Sequence, residues 1–252
     1  MRQEDIGFLE SEFGKISDTE FFRTAAARVR HFNFVARNGH MFNDQDIARQ
    51  RSFVKEELLV ELLKDGISDK SRLLTIDAIC DVFVVATYWD FLTVVQTLVN
   101  DNVGTEERCL RYAIGETNDN LHVGLAGTYS LTDHVEAMVS AYNGDRTGSL
   151  VRSCVAFMQI AGFDHQKALN EVLDSNDSKL PTLEAFLAAV PEDSRDDIQL
   201  AMEQESKRIE LNNDGRYTGV SGSVFDGRVV FRDDKGKIMK PITFFEPDLA
   251  RL

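Results

Sequence analysis

Two short acidic runs stand out in a chain of 252 residues. Glu56-Glu57-Leu58-Leu59-Val60-Glu61 and Asp77-Ala78-Ile79-Cys80-Asp81 each place carboxylates four residues apart, Glu57 with Glu61 and Asp77 with Asp81. On an α-helix that spacing leaves both side chains on one side, about 6 Å apart along the axis. If the two stretches pair as an antiparallel hairpin, the acids converge into a hard-oxygen set suited to Mg²⁺, or to Mn²⁺. Asp77 and Asp81 sit among Ile76, Ile79, Val82 and Phe83, with no basic residue at i±3 or i±4 of either. Aspartates in apolar surroundings are rare unless they are paired or bound to metal. Glu56, Glu57 and Glu61 also suit a solvated helix face, and Glu61 has Lys55 and Lys64 within reach. Spacing alone leaves a metal site and a structural polar network both open.

Other chemistries are poorly supported. The histidines, at 31, 40, 122, 134 and 165, never follow a glutamate by three, so the Glu-x-x-His of di-iron bundles is missing. There is no Gly-x-x-x-x-Gly-Lys-Ser/Thr, no Gly-x-Gly-x-x-Gly and no Gly-x-Ser-x-Gly. Cys80, Cys109 and Cys154 are odd in number and widely spaced, which suits burial as small apolar residues and fits neither a disulfide framework nor a zinc site.

The acidic runs need long helices to carry them, and the sequence supplies these. The prolines, 181, 191, 241 and 247, leave the first 180 residues free of proline breakers. Asp18 and Thr19 read as the cap of a first helix through Phe21, Phe22, Ala25, Val29 and Phe32, ended by Asn38-Gly39-His40. A second helix, capped within 43–46, runs from about 47 to 64 with Phe53, Leu58, Leu59, Leu62 and Leu63 on a broad stripe, and stops at Asp65-Gly66. A third starts near Asp69 or Ser71 and reaches about 99. Its run DVFVVATYW suits a strand by propensity, but the apolar pattern on both sides favours a buried helix. Shorter helices fit 105–114, 131–142, 148–161, 164–173, 182–190 and 193–212. Beyond that, Tyr217–Val224, Arg228–Arg232 and Lys237–Lys240 read as short strands, with turns at Asp226-Gly227 and Asp234-Lys235-Gly236. The expected fold is mostly α with a small C-terminal β-hairpin appendage.

Composition narrows the partners. With 28 Lys+Arg against 42 Asp+Glu the formal net charge is −14. This disfavours polymeric nucleic acid and anionic membranes, both of which need clustered positive charge. A 43% hydrophobic content excludes a disordered acidic tail. MRQEDIGFLE has no basic run leading into an apolar one, and the stretch Val82–Trp89 is bounded by Asp81 and Asp90 and is too short to span a bilayer. The expectation is a cytoplasmic protein; small phosphorylated ligands are not disfavoured, since acidic residues can recruit Mg²⁺ that then meets the phosphates.

Four stretches carry a family resemblance: Val29-Arg30-His31-Phe32-Asn33, VKEELLVEL (54–62), TIDAICDVFVVA (75–86) and ALNEVLDSNDSKL (168–180). Together they resemble the all-α nucleotide pyrophosphohydrolases, the superfamily of MazG and phosphoribosyl-ATP pyrophosphohydrolase. The tail GKIMKPITFFEPDL (236–249) is similar to the end of extended, often phage-encoded, members. Where such sequences have Glu-Glu-x-x-Glu, Glu57 and Glu61 match the first and last acids, Leu58 takes the second place and Glu56 lies just before. Where they have Glu-x-x-Asp, Asp81 matches the aspartate, Ala78 replaces the glutamate and Asp77 precedes it.

The resemblance implies a helical bundle of the all-α NTP pyrophosphatase type. It implies a catalytic domain over 1–190 with an insertion at 100–147, and a C-terminal extension over 191–252 packed on the same domain. It implies Mg²⁺-dependent hydrolysis of a (d)NTP to the (d)NMP and pyrophosphate. Glu57, Glu61, Asp77 and Asp81 would hold the metal, and Glu56 would orient the water or simply face solvent. Asn176 and Lys179 would contact the nucleotide. Phe32 and Asn33 are base-contact candidates, with a core role the alternative for Phe32. Lys237 and Lys240 are phosphate-contact candidates or a solvated strand face. Ser175 and Ser178 shape a turn. A homodimer or higher homo-oligomer is implied as well. The rival readings are a catalytically impaired nucleotide-binding or regulatory helical protein, an alarmone hydrolase, and a purely structural bundle.

Overall fold

The structure is a computed structural model that describes residues 3–39, 44–100, 130–213 and 216–251. Side chains are described in 20–39, 46–97, 130–213 and 216–251. Its helices are α1 (Gln3–Ala36), α2 (Asp44–Lys55), a π-helical segment (Glu56–Ser68), α3 (Arg72–Asn100), α4 (Leu131–Asn143), α5 (Thr147–Ile160), α6 (His165–Asp177), α7 (Leu183–Ala189) and α8 (Ile198–Leu211). β1 (Ser221–Phe225) and β2 (Arg228–Arg232) form one antiparallel pair. A mostly helical chain with a small C-terminal hairpin is therefore present. The helix expected at 105–114 lies outside the described residues.

Contacts divide the chain into two compact units. The first comprises Met1–Arg30, Met41–Asn170 and Leu249–Leu252, and the second His31–His40 and Glu171–Asp248. The division falls inside α1 and inside α6, whereas sequence reading set its boundary after residue 190.

In the first unit, α3 is the central helix, packed by α2, the π-helical segment and α5, with α4 on α5. Phe83, Ile79, Ile76 and Leu92 on α3, with Leu58 and Leu62 on the π-helical segment, are essentially inaccessible to solvent. A short turn around Lys70 (φ 56°) reverses the chain between the π-helical segment and α3. The two then pack closely enough that a Cβ on Gly66 would lie 3.0 Å from the Thr75 Cα. Ser71 starts α3 as a cap, its hydroxyl accepting the Leu74 N–H at 3.3 Å. Within Arg72–Thr97, an 18-residue window of α3 has a mean hydropathy of 1.7, so the helix is long and apolar enough to cross a membrane by length and composition. Within the protein, 67% of that 18-residue window is buried, as in a core helix. The apolar run is thus longer than Val82–Trp89, because Asp81 and Asp90 are accommodated within the helix.

In the second unit β2 is covered on both faces. Val229 and Phe231 join Phe186, Val190, Ala201, Met202, Ile209 and Met239 in one cluster. Val230 points the other way, to Val35, Ala36 and Leu180. The alternation follows directly from strand geometry. Asp226 (φ 49°) and Gly227 (φ 70°) give the hairpin the two positive-φ positions of a type I′ turn. Arg232 donates to the Ala36 carbonyl and, at 3.0 Å, to Asn38 Oδ1, so the hairpin caps the end of α1.

Several expected boundaries move. The α1 backbone is helical from Gln3, so Asp18 and Thr19 lie inside it rather than at its start. The second helix passes Gly66 and continues to Ser68. α6 extends to Asp177 and takes Ser175 and Asn176 into its last turn, where a turn was expected. Of the strand expected at Lys237–Lys240, only a single bridge forms, Ile238 with Arg232.

Candidate metal centre

The π-helical segment and α3 bring Glu57, Glu61 and Asp81 together, each offering a carboxylate oxygen within 4.8 Å of the others. Leu58 and Leu62 turn inward beside the glutamates and fix the segment against α3. A π-helix opens each turn to an i→i+5 pattern and is usually confined to one turn, often at functional sites. Here it runs for 13 residues and carries both glutamates. The stripe in the sequence gives no sign of this, because residues four apart share a face in either helix type.

Glu57 is the key residue electrostatically. Burial is the largest cause that pushes its carboxyl up, to about 9, followed by the charges of Asp81 and Glu61, a hydrogen bond with Glu61, and the charge of Asp77. Every influence raises it. Its Oε2 is also buried without a hydrogen-bond partner. Asp90, on the same helix α3, is a contrasting buried acid. Burial pushes the Asp90 carboxyl up too, but Thr147 Oγ1 donates to it at 2.6 Å, and Arg152 and Arg30 pull it back down. Glu57 receives no comparable counter-charge.

Three carboxylates could therefore hold a cation: all-oxygen donors, partly buried, one oxygen atom without a hydrogen-bond partner. Asp77 is close enough to act on Glu57 through its charge, but it is not one of the three clustered acids. Glu56 is exposed and lies outside that set, on the solvent side of the segment.

The remaining sequence-predicted residues belong to the second unit. Lys179 Nζ donates to Asn176 Oδ1 at 2.6 Å and lies 5.7 Å from the centre of the Phe244 ring. Lys240 approaches the same ring at 4.3 Å and pairs with Glu246 at 2.8 Å. Phe244 thus gathers Asn176, Lys179 and Lys240 into one cluster. Lys237 instead donates to the Tyr217 hydroxyl at 2.9 Å and holds that phenol below its ordinary value. Phe32 packs against the Val35, Ala36, Leu180 and Val230 cluster, the core role, and Asn33 is half-buried beside it. Ser175 and Ser178 fasten the tail: Ser175 Oγ donates to the Phe245 carbonyl at 2.8 Å, and Ser178 Oγ accepts the Phe245 N–H at 3.3 Å.

Sequence reasoning missed Phe244, although an aromatic pair four residues after a lysine is a recognisable cation–π signal. It also missed Glu205, only 3% exposed, which takes two bonds from Arg208 at 2.7 Å and the Ile242 N–H at 2.6 Å. In comparisons with known proteins, no family model, no curated protein and no solved structure matches this chain.

Proposed function

We propose that the chain is a Mg²⁺-dependent nucleoside triphosphate pyrophosphohydrolase that cleaves a (d)NTP between its α and β phosphates to give the (d)NMP and pyrophosphate. The observation that carries this reading is the convergence of Glu57, Glu61 and Asp81 around a buried oxygen of Glu57 that has no partner. The resemblance at 54–62 and 75–86 points the same way. When bound, Mg²⁺ neutralises phosphate charge and lowers the pKa of water. The protein's part is to hold the ion with Glu57, Glu61 and Asp81, and to back them with the packed leucines 58 and 62, which keep the carboxylates from dispersing. Asp77, just outside the set, adds negative charge that favours cation capture.

A pyrophosphate-release assay over the eight common NTPs and dNTPs, with and without Mg²⁺, tests the reading. Release from at least one, only with Mg²⁺, is expected, and silence from all of them at high protein concentration rejects it. Asp81→Asn is expected to abolish release while leaving the circular dichroism spectrum unchanged; retained activity would place the metal elsewhere. The position of Asp77 outside the clustered carboxylates favours a second reading, a nucleotide-binding protein that does not hydrolyse. Mg²⁺-dependent nucleotide binding by calorimetry without pyrophosphate release distinguishes it.

A further inference from the structure

A cavity of about 400 Å³ lies in the first unit where the π-helical segment turns into α3 and both meet α4 and α5. That size suits a small organic ligand. Its walls are mainly apolar, with Ile76, Val135, Phe157 and Phe163 among them. Ile67 and Leu131, which also line it, remain 38% and 40% exposed, so apolar surface stays open to solvent there. None of Glu57, Glu61 or Asp81 lines it.

The sign of the ligand follows from the polar residues. The chain carries a net charge of −14, yet among the described residues the lining holds Lys70 and Arg72 and no carboxylate. Asp133, one turn into α4, is already engaged by the Ser130 backbone N–H at 2.7 Å and the Ser130 hydroxyl at 2.8 Å. Asp69 is exposed beside Lys70 and does not line the cavity. Ser71 and Thr75 add hydroxyls at the start of α3. Lys70 takes a left-handed φ of 56°, where glycine would make the turn without strain. Lys70 nevertheless occupies this position and lines the cavity.

We propose that this cavity binds a small amphipathic anion, its alkyl or aryl body in the apolar chamber and its carboxylate or phosphate against Lys70 and Arg72. The proposal is independent of hydrolysis at the acidic set, so its test reads binding and not turnover. The full chain, kept in EDTA, is titrated by calorimetry with decanoate, with 1-naphthyl phosphate and with neutral decanol. The expected result is one saturable site per chain for at least one of the anions, with decanol about ten-fold weaker. Preference for decanoate identifies a carboxylate ligand, and preference for naphthyl phosphate a phosphate ester. Lys70→Glu with Arg72→Glu should weaken the anion by about ten-fold or more. Ala161→Trp should fill the cavity and remove binding. The proposal is overturned if neither anion binds, or if binding survives Ala161→Trp in a variant that melts like the parent. Should Ala161→Trp not fold, the surface double variant decides, and unchanged affinity there overturns it equally.

Discussion

At the scale of the residue, Glu57 concentrates the chemistry of the acidic set. Its carboxyl is raised from the usual range to about 9 in the metal-free protein. The folded state therefore holds a proton that the unfolded chain has released. The stabilisation linked to that proton is full below the unfolded value near 4.5 and is lost as pH rises toward about 9. The metal-free protein should thus weaken across that window by on the order of a few kcal/mol, and Glu57→Gln should flatten the dependence and raise stability at pH 8. Thermal melts in EDTA as a function of pH check both. Mg²⁺ should reverse the order of the two proteins. At about a hundred times its dissociation constant it adds about 2.7 kcal/mol to a protein that binds it, and the glutamine variant should gain much less. Equal gains in the two proteins would place the metal away from Glu57. Glu57, Glu61 and Asp81 were legible in the sequence as candidates, the glutamates from their spacing and Asp81 from its spacing and the apolar residues around it. The separation of Asp77 from them was not, because it depends on how two helices rotate against each other.

At the scale of the element, the π-helical segment and α3 are held close by a residue with no side chain. A methyl on Gly66 would meet the Thr75 Cα at 3.0 Å, which is backbone and cannot swing away. Gly66→Ala should therefore destabilise by about 1–3 kcal/mol, although alanine is the better helix former. Urea denaturation followed by circular dichroism measures it, and a gain in stability would show that the two helices have room to spare. Much at this scale was readable. The apolar pattern on both sides of DVFVVATYW correctly outweighed its β-branched residues, and Asp226-Gly227 marked the hairpin. What escaped was set by tertiary contacts. α1 continues through Asp18 and Thr19, good capping residues that a helix also tolerates in its interior. The predicted strand at Lys237–Lys240 pairs only at Ile238: the Lys237 N–H is taken by the Asp233 carboxylate, and Pro241, which has no N–H, follows.

At the scale of the whole molecule, the acidic composition conceals how few carboxylates are buried among the described residues. Glu205 is one, and it fastens the C-terminal tail of the second unit through the Ile242 N–H. Glu205→Ala leaves that N–H and Arg208 without their acceptor and should cost about 2 kcal/mol, with faster hydrogen exchange beginning in 240–246. Exchange that rises evenly over the unit would instead mean the tail has no separate fastening. Two helices, α1 and α6, cross the division between the units. Neither division point is therefore a linker: a cut at the second would split α6 into two pieces too short to persist alone, and a cut at the first would strip the C-terminal end from α1. Cooperativity is the consequence. Loss of either unit frays a helix on which the other depends, so heat or denaturant should unfold the chain in a single transition despite its two cores.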